Sequence, residues 1–221
     1  MLPYAGQMDC TQSIRILILL GATVFCTGVQ AGPKPLFSQD FSNVKGSDVP
    51  DEFLVLDGQF SVQEESGNRF LELPGSPLDT FGVMFGPNES VGVRVGARVF
   101  ATKQGRKFPT FEIGVSGVAG FKLRIAPAKK LVELLRDGDV RATAAFEWKS
   151  GEWTNLRLQV SKSAEGLKIE GRAWQEGAEP REWMVTTMEK GDGPGGKAGV
   201  WGMPFAGTPI RFDDLTVTSF D

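Results

Sequence analysis

The sequence predicts an all-β fold built as a two-sheet antiparallel sandwich. Short runs of alternating apolar and polar residues follow one another along most of its 221 residues. Such alternation places one face of a strand in a core and the other towards water. Turn residues separate the runs, and the 28 glycines fit frequent turns and bends. Because one open sheet of many antiparallel strands could not cover itself, we expect two stacked sheets.

Individual strands follow from this alternation, and we expect about twelve to fourteen of them. The clearest runs are 53–56, 70–73, 91–95, 111–115, 121–125, 156–160, 167–170 and 210–212. One stretch, 127–136, carries apolar residues at helical spacing. It lies between two predicted strands and runs into the hairpin signal Asp137-Gly138, so a strand is favoured over a helix there.

The first 31 residues are predicted to be a signal peptide. Arg15 precedes an apolar stretch over 16–26, and Val29-Gln30-Ala31 has the residue types of a cleavage site. The apolar run is shorter than the roughly 20 residues of a bilayer span. We therefore expect a secreted, periplasmic or cell-surface protein with no membrane span after cleavage; retention of the segment as an anchor is the alternative. Residues 32–36 would form a flexible N-terminus and 37–221 a single domain.

Composition excludes several kinds of function. The net charge of −3 and the lack of a basic run argue against a nucleic-acid partner. Both cysteines, Cys10 and Cys26, precede the predicted cleavage site, so the mature chain would contain no disulfide. The sequence has no histidine, which excludes Ser-His-Asp and Cys-His nucleophilic sites and zinc bound by histidine. Carboxylates, lysines and arginines remain for any chemistry.

Three motifs in order resemble the concanavalin A-like lectin/glucanase superfamily, including LamG-like and keto-disaccharide hydrolase-type exported domains of bacteria. They are Asp40-Phe41-Ser42, the stretch 151–156 (GEWTNL) and the stretch 210–217 (IRFDDLTV). The stretch from Trp174 to Trp183 is similar to one that exported members carry. The resemblance implies a jelly roll with paired first and last strands, and a concave face that binds or cleaves glycans in relatives.

Catalysis by this chain would depend on carboxylates. Glycoside hydrolysis uses two, placed on either side of the scissile bond. The Glu-x-Asp-x-x-Glu pattern of the superfamily's glucanases is absent, and acidic residues near 137–139 and 147–152 are interpreted as parts of turns. Glu112 and Glu133, from different predicted strands, are the remaining candidate catalytic pair.

The polar positions of the predicted strands favour binding. Arg94, Arg124 and Arg172 oppose the apolar positions, and planar guanidinium groups suit hydrogen bonding to sugar hydroxyls. Trp174 shares parity with Arg172, so its indole is a candidate stacking surface. An ordinary solvated sheet face, with Trp174 and Trp183 packed at a sandwich edge, is the alternative. We expect Trp153 and Trp201 in the core and leave Trp148 unassigned.

Asp40 and Asp213 are candidate ligands of a structural calcium ion where the first and last strands meet. The adjacent Asp213 and Asp214 point to opposite faces unless a bulge intervenes. Aspartates that cap a turn are the alternative interpretation, and the expected function requires no cofactor.

The function that these observations favour is a carbohydrate-binding or carbohydrate-associated module with a glycan as partner. One alternative is an exported glycoside hydrolase that acts on 3-keto or otherwise modified sugars through dispersed carboxylates. A second alternative is a structural protein of the cell envelope.

Overall fold

A computed structural model describes residues 33–76 and 79–220, which all lie in one compact unit. The predicted signal peptide lies outside the described residues, so its cleavage stays a prediction. None of the helices in the described part is long and apolar enough to cross a membrane. The strands are β1 (Lys34–Gln39), β2 (Leu54–Asp57), β3 (Ser61–Glu65), β4 (Asn68–Leu73), β5 (Phe81–Glu89), β6 (Val93–Ala101), β7 (Thr110–Val115), β8 (Phe121–Ala126), β9 (Leu131–Arg136), β10 (Asp139–Ala145), β11 (Trp153–Ser163), β12 (Gly166–Trp174), β13 (Val185–Glu189), β14 (Gly196–Met203) and β15 (Ile210–Ser219).

These strands form two antiparallel sheets. Sheet A has the order β13-β12-β11-β6-β15-β4-β3, with β1 also paired to β15. Sheet B has the order β10-β9-β8-β7-β14-β5-β2. The predicted two-sheet antiparallel jelly-roll sandwich is therefore confirmed, including the pairing of the first strand with the last.

The core lies between the sheets and consists of the apolar residues of each alternating run. In β6, for example, Val93, Val95, Ala97 and Val99 are buried, while the residues between them face away from the core. Every run singled out in the sequence overlaps a strand. Trp148 is partly buried and packs against this core, with its ring centroid 6.3 Å from that of Phe111.

Two local expectations are resolved by the structure. Residues 32–36 were expected to be flexible, but β1 begins at Lys34 and pairs with the edge of β15, so that prediction is wrong from Lys34 onward. Leu36 and Phe37 explain the difference, because both pack against the core. The stretch 127–136 forms a short 3₁₀ turn, Pro127–Lys129, and then β9, which confirms the strand that was favoured.

One irregularity shapes the outer face of sheet A. Strand β15 pairs with β4 through Ile210–Phe212 and with β1 through Leu215–Ser219, so β4 and β1 meet end to end along it. Between these two pairings, the register of β15 against β6 shifts, and Asp214 takes a left-handed φ of 49°. This bulge allows the side chains of the adjacent Asp213 and Asp214 to lie on the same face of the sheet.

Candidate functional site

The outer face of sheet A carries five arginines, which we call the arginine face: Arg94, Arg98, Arg157, Arg172 and Arg211. Their register explains the grouping. Arg94 pairs with Gln159, Arg157 pairs with both Gly96 and Arg172, and Arg211 pairs with Phe100. Since directly paired residues share a face, all five point away from the core.

The predicted sugar-binding residues are divided between the two sheets. Arg94, Arg172 and Trp174 lie together on the arginine face. Arg124 does not join them, because it belongs to β8 in sheet B and faces outward on the opposite side of the sandwich. Strand parity could not reveal this, since it fixes the face of a strand but not the sheet that contains it.

A connecting segment crosses this face. Residues 175–184, which we call the strap, link β12 to β13, and the Glu179 carboxylate accepts hydrogen bonds from two arginines. Arg172 Nε lies 2.8 Å from Glu179 Oε1, and Arg157 Nη2 lies 3.0 Å from Oε2. Burial raises the pKa of Glu179, but the hydrogen bonds and charges of Arg157 and Arg172 prevail and leave that pKa below its ordinary value.

Two tryptophans at the ends of the strap contact the same arginines. The Arg172 Cζ lies 4.0 Å from the ring centroid of Trp183, and the Arg157 Cζ lies 5.9 Å from that of Trp174. Gly96 leaves room for Arg157 to lie flat on the sheet. A residue with a Cβ at position 96 would overlap the Arg157 guanidinium group. Both indoles are only half-buried, so this part of the face combines fixed cations with accessible aromatic surface.

Arg94 differs from the other arginines of the face. Its Nε and Nη2 donate to the neutral Gln159 Oε1, at 2.9 and 2.7 Å. Its Cζ lies 5.9 Å from the ring centroid of Trp183 and 5.1 Å from that of Phe220. Burial and the charges of Arg157 and Arg172 lower the pKa of Arg94. Within 33–76 and 79–220, no carboxylate lies at ion-pair distance from it.

At the other end of the face, Arg98 and Arg211 border a cavity of about 320 Å³. The Arg98 Cζ lies 4.5 Å from the ring centroid of Trp153, and the Arg211 Cζ lies 5.3 Å from that of Phe100. Trp153 was expected in the core; it is instead half-buried on the outer face, because its position pairs with Phe100. The lining residues are Glu65, Ser66, Asn68, Phe70, Arg98, Phe100, Trp153 and Arg211.

The predicted calcium ligands lie at the junction of β1, β4 and β15. The fully buried Asp213 accepts hydrogen bonds from Arg98 Nη2 at 2.6 Å and from Asn68 Nδ2 at 3.0 Å. Asp40 accepts from the backbone N–H and the hydroxyl of Ser42, and these bonds lower its pKa. Burial, with the charges of Asp213 and Asp40, raises the pKa of Asp214 although Arg98 opposes this.

Protein donors thus occupy the junction. The Arg98 guanidinium supplies beside Asp213 the positive charge that the sequence analysis assigned to calcium. Among the described residues, no three acidic, histidine or cysteine side chains are grouped so as to hold a metal ion. Calcium at this junction stays a prediction.

Sheet B carries a different arrangement on its outer face, which we call the charged row: Glu112, Arg124 and Glu133. They occupy one register row across β7, β8 and β9. Lys122 Nζ lies 3.5 Å from Glu112, and Lys129 Nζ lies 2.8 Å from Glu133. The structure therefore brings the two candidate catalytic acids together with Arg124, but each acid contacts two cations and is at most 2% exposed.

Trp201, another expected core residue, lies beside this row. It is buried, at 4% exposure, yet it lies on the outer face of sheet B, because it pairs with Glu112. A Cβ at Gly82, Gly114 or Gly199 would overlap its indole, so the ring rests on these glycines. Lys122 Nζ covers the ring at 4.0 Å from its centroid. Both faces of this indole are therefore occupied.

The binding residues predicted from the sequence did not include Arg98, Phe100, Arg211 and Glu179. Arg98 and Phe100 lie at even spacing from Arg94 on one strand, which is a signal that alternation offered. Glu179 lies in an irregular segment, where no periodicity could place it.

Comparison with known proteins supports the fold. No family model matches the sequence, and no curated protein is significantly similar to it. A carbohydrate-binding module, CBM66 from Bacillus subtilis, aligns over 76% of this chain and 96% of its own, with a TM-score of 0.56 and 9% identity. The carbohydrate recognition domain of Emp47p aligns over 86% and 96%, with a TM-score of 0.56 and 10% identity.

A third similar structure is the GH43 protein BlXynB (K247S) from Bacillus licheniformis. It aligns over 83% of this chain and 39% of its own, with a TM-score of 0.56 and 10% identity. Identities this low establish shape and not activity. The chain therefore has the concanavalin A-like jelly-roll fold that its sequence motifs resemble.

Proposed function

We propose that this protein is a carbohydrate-binding β-sandwich module that binds glycans along the arginine face. The observation that carries the proposal is the cavity of about 320 Å³ in which Trp153 and Phe100 lie beside Arg98 and Arg211. A sugar ring has an apolar face bordered by hydroxyl groups. Aromatic rings complement the first, and planar guanidinium donors complement the second.

The donors of this cavity are held in place before any ligand arrives. Arg98 is fixed by Asp213, and Arg211 Nε lies 3.0 Å from Glu72 Oε2. Fixing long side chains in advance reduces the entropy that binding would otherwise cost. An arginine that holds a carboxylate on one edge can still offer its remaining N–H groups to a hydroxyl.

The length of the face favours an extended oligosaccharide. Arg94, Gly96, Arg98 and Phe100 occupy alternate positions of β6. At the rise of a β-strand, the first and the last of these positions lie about 20 Å apart. The two compared structures whose names state carbohydrate binding or recognition also support the assignment to glycans.

The charged row does not support hydrolysis equally well. A glycosidase needs one carboxyl group that is protonated and another that is free to act on water or on the sugar. Glu112 and Glu133 each contact two cations and are at most 2% exposed, so neither carboxyl group is free to act on a bound sugar. Non-catalytic binding is therefore the proposal, and assays for cleavage products test the alternative.

We also propose that the protein acts outside the cytoplasm, on the basis of the predicted leader. Mass spectrometry of the exported protein would show the new N-terminus after residue 31. No metal is assigned to the binding of glycan. Calcium at the junction near Asp40 is a separate question, answered by whether calcium raises the melting temperature.

The test is a glycan array on the purified protein, followed by calorimetric titration of the best ligand and by analysis for cleavage products. Trp153→Ala should weaken binding about tenfold or more, since a lost stacking contact removes aromatic area and its specific geometry. Phe205→Ala, which removes an exposed aromatic from the β14–β15 connection, is the matched control and should bind normally. The proposal fails if no glycan binds, or if both variants bind like the parent.

A further inference from the structure

The Arg94 end of the arginine face has more positive than negative charge. Two neighbouring hydrogen-bonded groups lie there: Arg94, Gln159, Glu170 and Lys168 form one, and Arg157, Arg172 and Glu179 form the other. Among the described residues, the two groups together hold four cations and two carboxylates. The whole protein is negative, at −3, so this excess is local. Like charges held this close repel one another unless anions balance them.

Arg94 is where the imbalance is concentrated. Arg157 and Arg172 share Glu179, and Lys168 lies 2.6 Å from Glu170. Among the residues that the structure describes, the only hydrogen-bond acceptor of Arg94 is the neutral amide oxygen of Gln159, although Arg94 is half-buried between Trp183 and Phe220. A partly desolvated guanidinium is ordinarily paired with an anion, because desolvation without one costs free energy.

The neighbouring contact shows which group such a site accepts. Glu179 places a carboxylate against two arginines beside Trp183 on the same face. The Nε–Nη2 edge of Arg94 is bound to Gln159, but Nη1 and the second N–H of Nη2 remain as a planar pair of donors beside aromatic rings, with no carboxylate among the described residues paired to them.

We infer that the glycan bound on the arginine face carries an acidic group, a uronate carboxylate or a sulfate, which Arg94 binds. This inference rests on the proposed function and names its ligand class. The arginine forms paired hydrogen bonds with two oxygens of the anion, and its charge balances the excess contributed by Arg157 and Arg172. The neutral part of the glycan extends along β6 towards Arg98 and Phe100.

The experiment uses matched pairs of oligosaccharides on the array and in calorimetry: oligogalacturonate with its methyl ester, and a sulfated glycan with its unsulfated form. We expect the parent protein to bind the acidic member of a pair about tenfold or more tightly than the neutral member, as expected for charged hydrogen bonds. The two pairs separate carboxylate from sulfate as the preferred anion. Arg94→Gln should remove this preference, and Arg94→Lys should keep part of it.

The outcomes distinguish this inference from the function on which it depends. Binding of neutral and acidic members with equal affinity would overturn the inference and leave the binding function intact. Binding of no glycan would overturn both. An acidic preference that persists undiminished in Arg94→Gln, with unchanged melting temperature, would assign the anion to a different residue and also overturn the inference.

Discussion

The outer faces of the two sheets carry similar residues that play different roles. Each has arginines, carboxylates and tryptophan. On sheet B, Glu112 and Glu133 each contact two cations, so the carboxylates of the charged row are paired within the protein. The indole of Trp201 is covered. On sheet A, within the described residues, the cations outnumber the carboxylates at the Arg94 end, and Trp153, Trp174 and Trp183 are half-buried.

This difference separates charge that stabilises the fold from charge that is available to a ligand. A buried network whose charges are paired with one another has little left to offer a ligand, but it is costly to break. A face with an unmatched cation and accessible rings adds less to stability and more to recognition. The comparison therefore predicts that mutations in the charged row of sheet B affect folding, and that mutations of Arg94 and of the half-buried rings on sheet A affect binding.

The largest expected effect is on sheet B. Arg124→Met leaves the buried Glu112 and Glu133 with only their lysine partners, and losing one member of a buried ion-pair network costs about 3 kcal/mol of unfolding free energy. Urea unfolding of the variant measures this cost. Glu147→Gln, which removes an exposed pair with Lys130, is the control and should change stability by about 0.5 kcal/mol or less.

The same variant can break the comparison. Glycan affinity should be unchanged in Arg124→Met at temperatures where it is folded. A loss of affinity without unfolding would move the binding site to the charged row.

A second effect on sheet B concerns the packing of Trp201. Gly199→Ala places a methyl group where the indole lies, and overpacking of this kind costs about 1–3 kcal/mol. Gly195→Ala, only four positions earlier in the chain, meets no atom within 4 Å and should be nearly neutral. Thermal unfolding of the two variants gives the comparison. Equal melting temperatures would show that the ring can move away and is not fixed by the glycines.

Alternation predicted most of the fold from sequence, because it reports directly which side chains enter the core. It gave the strands around Val95, Ile113 and Leu158, and the pairing of the first and last strands followed from the family resemblance. It misplaced Trp153, and although Trp201 is buried as expected, alternation did not reveal that its indole lies on the outer face of sheet B.

The candidate site was only partly predictable for the same physical reason. Parity placed Arg94, Arg172 and Trp174 on one face, but the assignment of Arg124 to sheet B depends on long-range pairing that periodicity does not encode. The bulge at Asp214 and the contacts of Glu179 arise in irregular backbone. Such segments adopt conformations that are set by the fold around them.

A smaller effect is expected from acid on the strap. The pKa of Glu179 is lowered in the folded state. Its pairing with Arg157 and Arg172 therefore stabilises the fold at pH values above the ordinary pKa of 4.5. This stabilisation is lost as the pH falls below 4.5 and through the lowered pKa of the folded state. Tryptophan fluorescence should change in this range as Trp183 and Trp174 leave the arginines. Glu179→Gln should lack that transition and should resemble the acid form at neutral pH. An identical acid profile in both proteins would contradict the assignment.

The smallest effect on stability should come from the residue expected to matter most for the ligand. Arg94→Gln removes one cation whose only hydrogen-bond partner among the described residues is Gln159, so it should cost at most about 1 kcal/mol. Arg98→Gln separates the buried Asp213 from its cation and should cost about 1.5–3 kcal/mol. Both variants lie on β6, four residues apart, which makes urea unfolding of the pair a matched comparison. If Arg94→Gln is as destabilising as Arg98→Gln, Arg94 is a structural residue. If Arg94→Gln hardly changes stability but removes the preference for acidic glycan, the charge of Arg94 serves to bind the ligand.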